Sequence, residues 1–118
     1  MKPTSNPNGL MFSYGSLQKK DIQVTIFGRE LLGREDAIRG YKRRVSAITD
    51  PTIAALIGET HYATVEPSSD PEDAVVGIVF EIADEELTLV DKYEIAAGYH
   101  RMLVSLASGN QAWVYVRG

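Results

Sequence analysis

The segment Asp84 to Gly98, "DEELTLVDKYEIAAG", puts a carboxylate where an apolar side chain is expected. Projected as a helix at about 100° per residue, Leu87, Val90 and Glu94 fall at i, i+3 and i+7 on one stripe, with Asp91 beside it. A stripe opened by Leu and Val should continue apolar; it continues with Glu94. The same residue lies in the last turn, where the partial negative charge of the helix end disfavours an anion. Partial burial and this dipole both raise a carboxyl pKa toward the range useful to a general base. The ordinary alternative is a glutamate that buries its stem and tips its head into water. Asp91 reads as a cap or an ion-pair partner.

A second stretch is suited to a ligand. "LMFSYGSLQKKDI", Leu10 to Ile22, is an apolar run that ends in a Tyr-Gly-Ser-Leu corner and then turns polar. Gly15 permits backbone conformations closed to other residues, and Ser16 adds little bulk. Main-chain N–H groups of such a corner can point at a small molecule, although a plain tight turn would look the same. The corner lacks the Gly-rich length and Gly-Lys-Ser/Thr ending of a phosphate loop. No Gly-x-Ser-x-Gly elbow surrounds Ser16, which speaks against a serine nucleophile. His61 and His100 have no metal-binding spacing, and the chain has no cysteine for a thiolate, a disulfide or a nucleophile. The run Lys42, Arg43, Arg44 reads as a solvated strand edge.

These residues need elements to hold them. Leu10 to Tyr14 reads as a buried strand, and Asp21 as the N-cap of a helix that Gly28 stops. Ala37 to Ile48 reads as one extended segment kinked at Gly40, and Asp50-Pro51 as the start of a short helical turn. "HYATVE" and "AVVGIVFEI" are strands joined by the loop "PSSDPED". The helix from Asp84 carries Glu85 and Glu86 in its first turn, and Gly98 lies just past its end. A terminal hairpin follows, "YHRMLVSLA" and "QAWVYVRG" around "SGN". On its first strand His100 should face away from Tyr99 and Arg101; on its second, Trp113 and Tyr115 share a face, as core or as pocket wall. Strands predominate and the turns are short, which predicts an α+β fold with a mainly antiparallel, barrel-like sheet.

The bulk composition sets limits. A chain of 118 residues with 44% hydrophobic and 24% charged residues fits one soluble domain, residues 1–118, with a loose N-terminal arm over residues 1–9. A net charge of −4 argues against a nucleic-acid partner. No apolar run approaches the about 20 residues of a membrane span, and no secretory h-region is visible, so a cytoplasmic location is expected.

In order and spacing, several segments resemble the gamma-glutamylcyclotransferase-like family, including its AIG2-like and gamma-glutamylamine cyclotransferase branches. "FSYGSL" (Phe12 to Leu17) is similar to the family's first-strand signature. "LTLVDKYEIAAGYHR" (Leu87 to Arg101) is similar to its Leu/Val-Asp-x-x-Glu helix followed by Tyr-x-Arg. "AWVYV" (Ala112 to Val116) is similar to the closing strand, and "RGYKRRV" and "VVGIVFEI" fit the strands between. The resemblance implies a small β-barrel flanked by helices around one pocket. It places Tyr14, Gly15, Ser16 and Leu17 at the γ-glutamyl part of a small-molecule substrate, Glu94 as the catalytic residue and Tyr99 on the pocket wall. Arg101 matches the motif arginine, in a structural or a functional role. The implied reaction is intramolecular cyclisation of a γ-glutamyl amine or peptide to 5-oxoproline, with no metal, nucleotide or redox cofactor. A non-catalytic ligand-binding or regulatory protein of the same fold is the alternative. Asp50 to Asp73 departs from the family pattern and is placed to shape the pocket rim; Ile95 stands where a glycine is expected after the glutamate.

Overall fold

In the computed structural model, which describes residues 9–117, three apolar runs without alternation become the inner strands of one sheet. The described residues form strands β1 (Leu10–Ser13), β2 (Gly33–Arg39), β3 (Tyr41–Ala47), β4 (His61–Pro67), β5 (Ala74–Glu81), β6 (His100–Ser105) and β7 (Gln111–Val116), and helices α1 (Lys20–Phe27), α2 (Pro51–Ile57) and α3 (Asp84–Ala96). The sheet runs β2-β5-β1-β7-β6, antiparallel except for the parallel β1–β7 pair. Its middle is covered on both faces. Phe12, Val79 and Val114 pack on one side with Val65 of β4; Met11, Phe80 and Tyr115 pack on the other with Leu17, Leu87 and Val90. Burial on both sides is why these strands read as unbroken apolar runs.

The α+β class with a mainly antiparallel sheet is observed, but the strands do not close into a barrel. β3 and β4 form a separate two-stranded ribbon. The reason lies at Gly40, whose φ of +80° turns the chain out of the sheet, so that Ala37 to Ile48 is two strands in two sheets rather than one kinked segment. The turn is fixed by the Gly40 amide on the Asp73 carbonyl at 2.7 Å and the Ser68 amide on the Gly40 carbonyl at 2.8 Å.

The helices start and stop largely as their local chemistry dictates. Asp50 caps α2 through the Thr52 amide at 2.8 Å, and Gly28, at φ +73°, ends α1. Asp21 is not the cap of α1. A 3₁₀ turn, Ser16–Gln18, leads almost directly into the helix, so Lys19 takes the cap position and Asp21 lies inside the first turn. At the start of α3, Glu86 accepts from the Ala83 amide at 2.9 Å and makes a two-pronged pair with Arg29, both contacts at 2.8 Å. Residues 1–8 of the expected N-terminal arm lie outside the described residues. Gly9 is buried rather than loose, and its carbonyl accepts from the Ile82 amide at 2.6 Å.

Candidate active site

The Tyr-Gly-Ser-Leu corner begins where β1 crosses a glycine. Gly77 of β5 lies so close beneath β1 that a Cβ there would collide with the Ser13 carbonyl and the Phe12 ring. Beyond Ser13 the chain is tied down by side chains. Gln18 Nε2 donates to the Ser13 carbonyl at 2.7 Å, and the Gly15 amide donates to Ser13 Oγ at 3.2 Å. Buried Gln23 of α1 donates to the Leu17 carbonyl at 2.9 Å and accepts from the Leu31 amide at 2.8 Å. Gly15 itself has φ −157° and ψ −131°. A Cβ there would meet nothing within 4 Å, so this side of the corner is open. Of the corner amides, Gly15 is already engaged, whereas those of Ser16 and Leu17 have no acceptor among the described residues.

Across from this corner stands α3, whose buried residues are Leu87, Val90 and Glu94. The helical projection thus gives the observed face. Glu94 is only 8% exposed. No hydrogen bond or ion pair among the described residues reaches its carboxyl group, and burial pushes its pKa up to about 7.

Tyrosines surround the carboxyl group. Tyr14, Tyr93, Tyr99 and Tyr115 line the same cavity as Glu94. Three of their hydroxyls are committed to protein acceptors: Tyr14 to the Tyr115 carbonyl at 2.6 Å, Tyr99 to the Ala63 carbonyl at 2.8 Å, and Tyr115 to Asp91 Oδ1 at 2.6 Å. Burial raises the phenol of Tyr14 well above its usual range, and pushes that of Tyr99 up to about 12, with the charge of Glu94 adding to the effect. These phenols stay neutral and act as walls around the Glu94 carboxyl group.

The cavity holds about 260 Å³ and is lined by Tyr14, Gly15, Ser16, Leu17, Glu94 and Tyr99 together. That volume lies just under the roughly 300–1,000 Å³ usual for drug-sized ligands, so it suits a small one. Glu59, His61, Tyr62 and Ala63, all from the stretch after Asp50, form part of the rim. Residues 11–118 match the family model described as gamma-glutamyl cyclotransferase, AIG2-like. The chain belongs to that family.

Solved structures agree on the fold of this AIG2-like chain. It is similar to a solution structure of At3g28950.1 from Arabidopsis thaliana, with 21% identity and a TM-score of 0.68 over 99% of this chain and 66% of that one. It is similar to a gamma-glutamyl cyclotransferase at 18% identity and TM-score 0.69, over 92% of this chain and 66% of that one. An uncharacterized protein from Homo sapiens gives 20% identity and TM-score 0.70, over 96% of this chain and 68% of that one. The chain thus spans about two thirds of the length of these structures. No curated protein sequence matches it.

Other residues of this cyclotransferase-family chain fall away from the cavity. Arg101 stacks over the Trp113 ring at 4.3 Å and pairs with Asp91 at 3.4 Å, so its position is structural. Ile95 is 64% exposed and does not line the cavity. His100 is exposed, as its alternation with Tyr99 and Arg101 implies. Tyr115 is pocket wall, whereas Trp113 packs in the helix-side core.

Lys42, Arg43 and Arg44 are all exposed on β3, as a solvated strand edge requires. Their side chains divide between two sides: Lys42 and Arg44 reach Glu66, at 3.8 and 2.7 Å, while Arg43, exposed, borders the mouth of the cavity. Period-two alternation along β3 separates it from its neighbours, a signal visible only once Glu66 is known to lie opposite Lys42. Tyr93, one residue before Glu94, had no marker beyond that adjacency.

Proposed function

We propose that this protein catalyses the cyclisation of a γ-glutamyl amide, an amine or a peptide conjugate, to 5-oxoproline with release of the amine. The observation that carries the reading is Glu94: a buried, unpartnered carboxyl group, titrating at about 7, that shares one small cavity with the bare Tyr14–Leu17 corner.

The chemistry suits a single carboxyl group. A γ-glutamyl amide carries its own nucleophile, the α-amino group, one five-membered ring away from the γ-carbonyl. Attack within the molecule brings a large effective-molarity advantage, so the cavity has mainly to hold the folded shape. At neutral pH that amine is protonated: its α-carboxylate is free, so its pKa lies above the roughly 7.7–8.0 of a peptide N-terminus. Glu94, raised to about 7 by burial, is a better match to that amine than an ordinary carboxylate at 4.5 and so a more effective base for it. Glu94 takes the proton; the amine nitrogen then attacks the γ-carbon and a tetrahedral oxyanion forms. The bond from the γ-carbon to the departing nitrogen breaks as Glu94 passes the proton to it; Glu94 then takes the second proton of the ring nitrogen, leaving the neutral lactam, and hands it to the released amine, which leaves as its ammonium. Atoms and charge balance with no water consumed and no cofactor. The corner amides of Ser16 and Leu17 are the donors available to the oxyanion.

Tyr14 and Tyr99 shape the cavity, and Gly15 keeps it open. The substrate is a small γ-glutamyl compound, and a cytoplasmic site of action fits it. A panel of γ-glutamyl amines and dipeptides, assayed for released 5-oxoproline, tests the proposal and identifies the compound. Turnover of at least one member is expected. Tight binding across the panel without turnover would favour a ligand-binding protein of the same fold.

A further inference from the structure

Lys42 and Arg44 share Glu66 on one side of β3, which leaves Arg43 on the other side without a carboxylate. Among the described residues, no hydrogen bond or ion pair engages its guanidinium. It is exposed on the cavity rim, bordering also the neighbouring groove lined by Glu35 and Asp36, and its charge is close enough to Tyr14 to oppose a small part of the rise in that phenol's pKa. The other cation on the wall, Lys19, has Glu59 at 3.9 Å. The cavity therefore presents one unpaired acid, Glu94, and one unpaired base, Arg43.

That pair of charges matches an α-amino acid head group, which bears an ammonium and a carboxylate on one carbon. We infer that Arg43 binds the α-carboxylate of the ligand, with Glu94 turned to the α-amino group. This rests on the γ-glutamyl reading and extends it, because it divides the work of the cavity. A guanidinium takes a carboxylate through two parallel N–H donors. The Ser16 and Leu17 amides are then left for the γ-carbonyl oxygen. Arg43 becomes the residue that selects γ-glutamyl compounds over amides lacking the carboxylate.

Two probes that need no turnover test this. L-5-oxoproline carries the carboxylate, and 2-pyrrolidinone is the same ring without it. Each is titrated by NMR into wild type, Arg43→Met and Arg43→Lys. The expected result is that Arg43→Met weakens L-5-oxoproline binding by about 10- to 100-fold, that Arg43→Lys recovers part of the loss, and that 2-pyrrolidinone binds all three alike. Equal affinity of wild type and Arg43→Met for L-5-oxoproline overturns the inference, as does a wild type that does not bind it. An equal loss for both rings also overturns it, since that would be a packing effect. The panel assay keeps the two proposals apart. Arg43-dependent binding without turnover sinks the enzymatic reading alone; turnover with Arg43-independent binding sinks the carboxylate assignment alone.

Discussion

The amide of Tyr99 donates to the carbonyl of Glu94 at 2.9 Å, just past the end of α3. The hydroxyl of the same tyrosine reaches the Ala63 carbonyl on the β3–β4 ribbon at 2.8 Å. One residue thus ties the helix end that carries the buried acid to the opposite wall of the cavity. Tyr99→Phe removes the second tie and keeps the ring. Losing one such bond should lower stability by about 1 kcal/mol in urea titrations. The Tyr99 hydroxyl proton is held on the Ala63 carbonyl, so if the residue serves as a wall kcat should stay within about tenfold of wild type. A loss of about 100-fold or more would mark a proton-transfer role instead.

Arg117 makes the companion tie. Its Nη1 donates to the Ala97 carbonyl at 2.9 Å, and its guanidinium stacks over the Tyr62 ring at 4.0 Å. It packs so closely on Gly98, at φ +91°, that a Cβ there would overlap the guanidinium. Arg117→Ala should cost about 2 kcal/mol by denaturant titration, from a charge-assisted bond and a stacked ring. Because it frees the end of α3 near Glu94, turnover should fall through kcat more than through KM. An unchanged kcat would show that the helix end holds its position without it.

Gly77 sets the course of β1 into the corner. Gly77→Ala forces a methyl against the Ser13 carbonyl and the Phe12 ring, one a main-chain atom with little room to yield. Overpacking of this kind should destabilise the fold by about 1–3 kcal/mol. It should also weaken L-5-oxoproline binding, because the corner that follows Ser13 must shift. Binding at wild-type affinity would mean that the corner is positioned by Gln18 and Gln23 alone.

The titration of Glu94 has a consequence for stability. Its folded pKa, about 7, is above the ordinary value of 4.5, so the folded protein holds this proton more tightly than the unfolded chain does. The resulting stabilisation is complete below about pH 4.5 and is lost as pH rises through about 7. Measured against Glu94→Gln, wild type should lose about 3 kcal/mol of stability across that window. Denaturant midpoints of the two proteins as a function of pH check this. Parallel curves would mean that the carboxyl group is solvated and titrates normally.

Glu94 and the corner were legible in the sequence because each breaks a local rule. One is a charge on an apolar stripe, and the other is a bare turn after a buried strand. The helix boundaries of α2 and α3 were legible for a similar reason, since Asp50-Pro51 and Gly98 act on their immediate neighbours. What escaped is set by contacts between distant segments. Gly77 looks like any strand glycine until β1 is laid across it, and Gln23 like a surface residue until Leu17 and Leu31 are brought to its amide. Gly40 reads as a kink, but whether the strands it joins share a sheet depends on Asp73 and Ser68. Resemblance to a family pointed to the γ-glutamyl group; the pairing of β3 with β4 brings Arg43 into view.

The most direct test is release of 5-oxoproline from the γ-glutamyl panel by wild type and by Glu94→Gln, with L-5-oxoproline binding measured on both. Wild type should turn over at least one member, with kcat/KM falling as pH drops below about 7, the pKa of the buried acid. Glu94→Gln should still bind L-5-oxoproline and lose turnover by about 100-fold or more. Wild-type rates of release by Glu94→Gln would contradict the role of this carboxyl group, and no release by wild type from any member would contradict the reaction itself.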